Sequence, residues 1–203
     1  MRYTFASLAL VAAALASPLP DSVASVPSSY KISNIVSGGS GCPQGSIDVS
    51  YTDSTILPIR FGKDFTASVG PGVAPDDSRK NCQLNIALQF SPGWQYSVYS
   101  ADYSGWGNLD SGVKGRVKAN YYFSGEQDQA STTLGITGPF SGTYTKHDDV
   151  ALSVWSPCGS SAALNVNADV ALTPLGSSAS GTLVATKESA RFTHQLYLKW
   201  RQC

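Results

Sequence analysis

Five aromatic side chains, Trp94, Tyr96, Tyr99, Tyr103 and Trp106, crowd one short stretch, and Tyr121 and Tyr122 follow in a strand-like segment. Sugars offer flat C–H faces that pack on aromatic rings, with hydroxyls around the rim that need hydrogen-bonding partners. A row of exposed Trp and Tyr is therefore a candidate glycan platform, with Trp94, Tyr96, Tyr99, Tyr103, Trp106 and Tyr122 as its members. Gln95, Asp102, Asn108 and Asp110 would supply the hydrogen bonds. The same residue types also favour strands and supply large apolar area to small β cores. Trp94, Tyr96 and Val98 share one parity, which suits a buried face.

Carboxylates are the second chemistry on offer. A glycosidase uses two across a cleft, one as acid and one as base or nucleophile. The chain has Glu126 and Glu188, together with Asp48, Asp53, Asp64, Asp102 and Asp110, but no spacing selects a pair. Aspartates at turns commonly accept hydrogen bonds from nearby backbone amides instead. His147-Asp148-Asp149, with Asp76-Asp77 as companion, offers oxygen and imidazole ligands of the kind a calcium ion takes. Neighbouring strand residues point to opposite faces, however, so the identity of any metal stays open. His194, the other histidine, falls on the apolar parity of the last strand-like segment and is expected to be a satisfied buried side chain. No catalytic residue and no cofactor follows from these patterns.

Several enzymes are excluded by motif. A copper monooxygenase of the polysaccharide-cleaving kind needs histidine as its first mature residue, and export processing here would leave Ser17. The sequence Gly38-Gly39-Ser40-Gly41-Cys42 ends in the wrong residue for a hydrolase nucleophile elbow. No phosphate loop or dinucleotide fingerprint is present.

Cys42, Cys82, Cys158 and Cys203 make an even set in a chain with an export signal, so two disulfides are expected. Three pairings are open; Cys42–Cys82 with Cys158–Cys203 is favoured because it closes one loop in each half and ties down the last residue. No two cysteines stand at the short spacing of zinc sites.

The elements that must position these residues are strands. From Leu164 to Leu172, the apolar Leu164, Val166, Ala168, Val170 and Leu172 alternate with Asn165, Asn167 and Asp169, the period of a strand with one dry and one wet face. Cys82, Leu84, Ile86, Leu88 and Phe90 repeat the pattern. So do Val113, Val117, Ala119, Tyr121 and Phe123, with Lys114, Arg116 and Lys118 opposite, and Phe192, Leu196, Leu198 and Trp200. Weaker strands are expected at 30–36, 46–51, 59–66, 94–100, 150–155 and 181–186. Gly38-Gly39-Ser40-Gly41, Gly70-Pro71-Gly72, Ser91-Pro92-Gly93 and Gly138-Pro139 read as turns. Many short strands with turn punctuation predict an all-β fold, an antiparallel, jelly-roll-like β-sandwich with two disulfides.

Arg2, the apolar run from Ala6 to Leu15 and the small residues around Ala16 read as a signal peptide over 1–16. Residues 17–29, rich in Ser, Pro and Ala, are expected to be a flexible leader, and 30–203 a single domain. Basic and acidic residues balance at 14 each. That gives no long-range pull toward nucleic acid or an anionic membrane, and no membrane association is expected once the signal is removed. The chain lacks an Asn-x-Ser/Thr acceptor.

In chain order come Gly39-Ser40-Gly41-Cys42-Pro43, Arg79-Lys80-Asn81-Cys82-Gln83-Leu84, Pro92-Gly93-Trp94-Gln95, Tyr121-Tyr122-Phe123-Ser124-Gly125, Trp155-Ser156-Pro157-Cys158-Gly159 and Trp200-Arg201-Gln202-Cys203. With this set the chain resembles the secreted proteins of filamentous fungi grouped as domain of unknown function 4360. The resemblance implies export, four paired cysteines and a β-rich domain, and it carries over no activity. The functional expectation is a non-catalytic extracellular protein associated with cell-wall polysaccharide or a host surface. The alternatives are a polysaccharide hydrolase with an unidentified Asp/Glu pair and a protein-binding effector.

Overall fold

The computed structural model describes residues 26–51, 53–150, 154–176, 178–183 and 192–203. The expected signal peptide and the expected leader as far as residue 25 lie outside them. The end of the expected leader is held in place: Ser91 Oγ accepts a hydrogen bond from Ser29 N at 2.9 Å and lies 2.8 Å from Ser28 Oγ.

Eleven strands follow among the described residues. They are β1 (Tyr30–Gly38), β2 (Asp48–Val49), β3 (Ile56–Arg60), β4 (Ala67–Val69), β5 (Arg79–Leu109), β6 (Lys114–Phe123), β7 (Gln129–Thr137), β8 (Phe140–Asp149), β9 (Gly159–Thr173), β10 (Gly181–Leu183) and β11 (Thr193–Gln202). A 3-10 turn at Pro75–Ser78 precedes β5. All pairings are antiparallel. The fold is the expected all-β sandwich, though several elements differ from the sequence reading. β7 and β8 were not anticipated, because their inward residues include Thr132, Gly142 and Lys146, which blur the apolar alternation. The strand expected at 150–155 is partly outside the described residues, and 154–157 are not extended in a ladder.

The largest departure is at Ser91-Pro92-Gly93. It does not reverse the chain; it lies inside one strand of 31 residues. Along β9 the partner of Gln89 is Ser161 and that of Trp94 is Gly159, so five steps on β5 match two on β9. Such extra residues bend a strand and re-aim it, and Gly93 takes the φ of +80° that the bend requires. The first half of β5 thus lies in a sheet ordered β1–β5–β9–β6–β7, and the second half lies among β3, β11 and β8, with β10 and β4 at its end.

The inner faces are those that alternation marks. Leu84, Ile86, Leu88, Val166, Val170, Val117, Leu196 and Leu198 are all buried. Aromatic packing joins the sheets: Tyr96 meets Phe123 edge-to-face at 5.0 Å and Trp200 at 5.0 Å, and Phe90 meets Trp200 at 5.1 Å. A second cluster of Phe61, Phe65 and Phe192 fills the other end.

The disulfides are Cys42–Cys82 and Cys158–Cys203. Close backbone approach brings the first together. Gly41 N donates to Asn81 O at 2.8 Å, and a Cβ on Gly41 would stand 2.6 Å from the Phe65 ring. Cys42 and Cys82 are fully buried, whereas Cys158 and Cys203 are exposed. Mild reductant without denaturant is therefore expected to open Cys158–Cys203 first, as read by alkylation and peptide mass mapping. Its sequence separation of 45 residues makes its loss worth about 3–4 kcal/mol of unfolding free energy by the chain-entropy model. Equal alkylation of all four thiols at the earliest times would contradict this.

Candidate functional site

The residues expected to form an aromatic platform separate between core and surface. Trp94, Tyr96 and Tyr103 are buried, at 8%, 0% and 0% exposure. For Trp94 and Tyr96 the inner parity decides it. Tyr103 has the opposite parity in the sequence, yet it faces the same way. The reason is a bulge: β11 pairs Leu198 with Val98 and Tyr197 with Ser100, skipping Tyr99, so alternation slips by one residue. Tyr99 is left on the surface at 39% exposure. Trp106 is half-buried on the outward parity of the second half of β5, and Tyr122 is half-buried on the outer face of the other sheet. These three do not form one continuous row.

The surface around Tyr99 instead gathers residues from three strands. β11 pairs Gln195 with Asp102 and Tyr197 with Ser100, and β8 pairs His147 with Asp102. Asp102 stands at the centre with both oxygens engaged. His147 Nδ1 donates to Oδ1 at 2.5 Å, and the Tyr197 hydroxyl donates to Oδ2 at 2.6 Å. Gln195 Nε2 donates to the Tyr197 hydroxyl at 2.8 Å. The Tyr99 and Tyr197 rings lie 6.2 Å apart at 52°, and the His147 ring lies 6.1 Å from Tyr197. Farther along the same outer face, the Arg201 guanidinium covers the Trp155 ring at 3.9 Å, a cation–π contact.

Asp102 holds the His147 imidazole above its ordinary pKa, chiefly by accepting its hydrogen bond, with Asp149 adding to the pull. The same bond raises the Tyr197 phenol. The cluster therefore carries aromatic faces, a fixed carboxylate, an amide and a cation-forming imidazole on rigid strands, where hydrogen bonding fixes rotamers before a ligand arrives. Tyr197 escaped sequence reading although its signal was present: it is an aromatic residue on the wet parity of the last strand.

Several of the other candidates have local roles. Asp48 pairs with Arg60 at 3.3 Å, Asp77 with Lys80 at 2.7 Å and Asp148 with Lys146 at 2.9 Å. Asp53 accepts from the Thr55 amide at 2.7 Å, and Asp110 from the Ser180 amide at 2.8 Å. Glu188 lies outside the described residues. Among the described residues no group of three His, Cys, Asp or Glu is arranged to hold a metal ion. His147 and Asp76-Asp77 are thus not joined into the calcium site that their sequence offered. A shallow depression of about 580 Å³ between β1, the β5 bend and β9 is lined by Ser29, Tyr30, Lys31, Gln89, Ser160 and Ser161, among others, and no carboxylate lines it.

His194 is fully buried between the sheets. Its Nε2 lies 2.6 Å from the Tyr121 hydroxyl, its ring stacks on Tyr103 at 4.5 Å, and Thr132 Oγ1 bonds to both tyrosines. Nδ1 has no partner among the described residues, so His194 is buried as expected but only half satisfied. Burial pushes its pKa down to about 3 and raises that of Tyr103 to about 12.

Residues 28–203 match the model of a family described as Domain of unknown function (DUF4360). The chain belongs to this family. An uncharacterized secreted protein of Arthroderma benhamiae is 40% identical over 179 residues, covering 87% of this chain and 73% of its relative. This family member is likewise a secreted protein, and among its described residues no helix is long and apolar enough to cross a membrane. In solved structures, TmCBM61 in complex with β-1,4-galactotriose aligns over 85% of this chain and 91% of its own, at 9% identity and a TM-score of 0.26. A family 11 carbohydrate-binding module from Clostridium thermocellum, bound to a β-1,3-1,4-mixed-linked tetrasaccharide, covers the same shares at 6% identity and a TM-score of 0.23. Likenesses at those scores carry no argument about ligand.

The two histidines should titrate far apart by NMR. His147 is expected to lose its proton above the usual imidazole value and to return toward it in Asp102→Asn, while His194 stays neutral down to about pH 3. The stability consequence of His194 has a definite sign. Between its unfolded value of about 6.5 and its folded value of about 3, the unfolded chain binds the extra proton. Stability should fall with falling pH through that window, at up to about 1.4 kcal/mol per pH unit from this residue. Chemical denaturation should show that part of the slope removed in His194→Gln; an unchanged slope would refute it.

Proposed function

We propose that this secreted protein acts without catalysis, associating with cell-wall or other extracellular glycan through the outer face formed by β11, the second half of β5, and β8. The observation that supports this reading is the pair of outward tyrosines, Tyr99 and Tyr197, set beside an Asp102 that Tyr197 and His147 hold in one position. The rings offer faces for sugar C–H groups. Asp102, Gln195 and His147 supply directed donors and acceptors for hydroxyls, and the antiparallel strands keep these groups aligned without paying ordering entropy on binding. Ser104 and Thr145, bonded to each other at 3.1 Å, extend the hydroxyl-bearing surface.

Pull-down on chitin, β-glucan and cellulose tests the proposal. Retention on at least one is expected, with a loss of about tenfold in affinity, about 1.4 kcal/mol, in Tyr197→Ala. Tyr99→Ala should weaken binding as well, while the exposed and distant Leu175→Ser should leave it intact. Retention on none of the three, or release of reducing sugar from one of them, would overturn the non-catalytic glycan reading.

A further inference from the structure

The opposite side of the sandwich carries a surface of different chemistry. On the outer face of the sheet β1–β5–β9–β6–β7, β6 presents Lys114, Arg116 and Lys118 at alternate positions, about 7 Å apart along the strand. Across β9, the register places Arg79 of β5 level with Arg116, with Ala171 between them. Four cations therefore share one patch on a chain whose basic and acidic residues balance overall.

One acid lies among them. Asp169 of β9 takes Arg79 Nε on Oδ2, and Arg116 Nη2 on Oδ1 at 2.7 Å. Asp169 is nearly covered, with a side chain 10% exposed, whereas the side chains of Arg79 and Arg116 are 66% and 52% exposed. The buried carboxylate thus uses one N–H of each guanidinium and leaves the outer edges of both turned to solvent. No ion pair engages Lys114 or Lys118 among the described residues. Arginine presents five N–H donors in a planar fork that matches a carboxylate with two parallel bonds, so a pair of arginines held in place is suited to carboxylate ligands.

The patch continues into neutral amides. Asn81, Asn167 and Asn120 lie in the next rows, with Gln83 donating to the Tyr122 hydroxyl at 3.2 Å, and Asn85 donating to Asn165 at 2.9 Å. Amides give paired donors and acceptors for hydroxyls. Facing the cations on β7 are Thr133, Gly135 and Thr137, which offer no apolar surface for lipid tails.

We infer that this face binds an acidic polysaccharide, its arginines and lysines pairing with uronate carboxylates and its amide rows with ring hydroxyls. This site is separate from the Tyr99–Tyr197 face and does not depend on the reading given to that face.

Binding to polygalacturonate, measured by calorimetry on the intact secreted chain at low and moderate salt, tests the inference. Fully methyl-esterified polygalacturonate, a DNA duplex and anionic phosphatidylserine vesicles serve as comparators. Salt-sensitive binding to polygalacturonate is expected, at least tenfold tighter than to the methyl ester. Lys114→Gln/Lys118→Gln should weaken it at least tenfold while leaving the Asp169 clamp and the melting temperature intact. Arg116→Lys, which keeps the charge but loses the fork, should weaken it several-fold. Tyr197→Ala should leave it unchanged, which separates this site from the other face. Equal affinity for ester and acid, equal or tighter binding to DNA or vesicles, or full binding by the folded lysine variant would each overturn it.

Discussion

One strand belongs to both layers of this protein, and its bend governs how each layer is placed. β5 pairs with β1 as far as Phe90, and at Trp94 it lies between Gly159 of β9 and Gln202 of β11, from where it continues in the second sheet. A hairpin at that point would have sent the chain back along its own sheet. The bulge instead keeps the backbone hydrogen-bonded on both sides of the bend, so the Ser91-Pro92-Gly93 segment costs little ladder while redirecting the inner side chains. Phe90 and Trp94 consequently line one core, together with Tyr96 and Trp200. The second bulge, at Tyr99, then decides which aromatic residues are core and which are surface.

The core produced in this way is not wholly apolar. Tyr103, Tyr121, Thr132 and His194 form a hydrogen-bonded group contributed by β5, β6, β7 and β11, which ties the two layers at one point. A buried polar group with a missing partner is costly, on the order of 1–3 kcal/mol, and Nδ1 of His194 is such a group. The surrounding packing must absorb that cost. It does so with the stacked Tyr103 ring and with Phe192, which lies 6.2 Å from Tyr103. The buried Cys42–Cys82 disulfide holds the β1–β2 connection against β5, and the exposed Cys158–Cys203 holds the end of β11.

The two outer faces differ in how their charges are arranged. On the Tyr99–Tyr197 face a single carboxylate is the hub, and neutral or imidazole donors converge on it. On the β9–β6 face a single carboxylate is covered by two arginines that remain largely in solvent. Asp169 is itself nearly covered, so its two arginines offset the cost of burying its charge, while it in turn orients them. In both places an aspartate positions neighbours whose free edges point outward.

The sequence by itself determined the compartment, the all-β class and the inner residues of the strongest strands. Leu164–Leu172 and Cys82–Phe90 read directly because alternation of polarity is a local property of an extended chain. Export signals and the number of cysteines are local as well. Tertiary structure alone decided where β5 bends, how Tyr99 and Tyr103 part company, and that Tyr197 meets Asp102 and His147. Those outcomes depend on which strand pairs with which and in what register, and a one-residue slip exchanges the two faces. Pairing joins residues far apart in the chain, such as Asp102 with His147 and Arg79 with Asp169, and no pattern within a single segment records it.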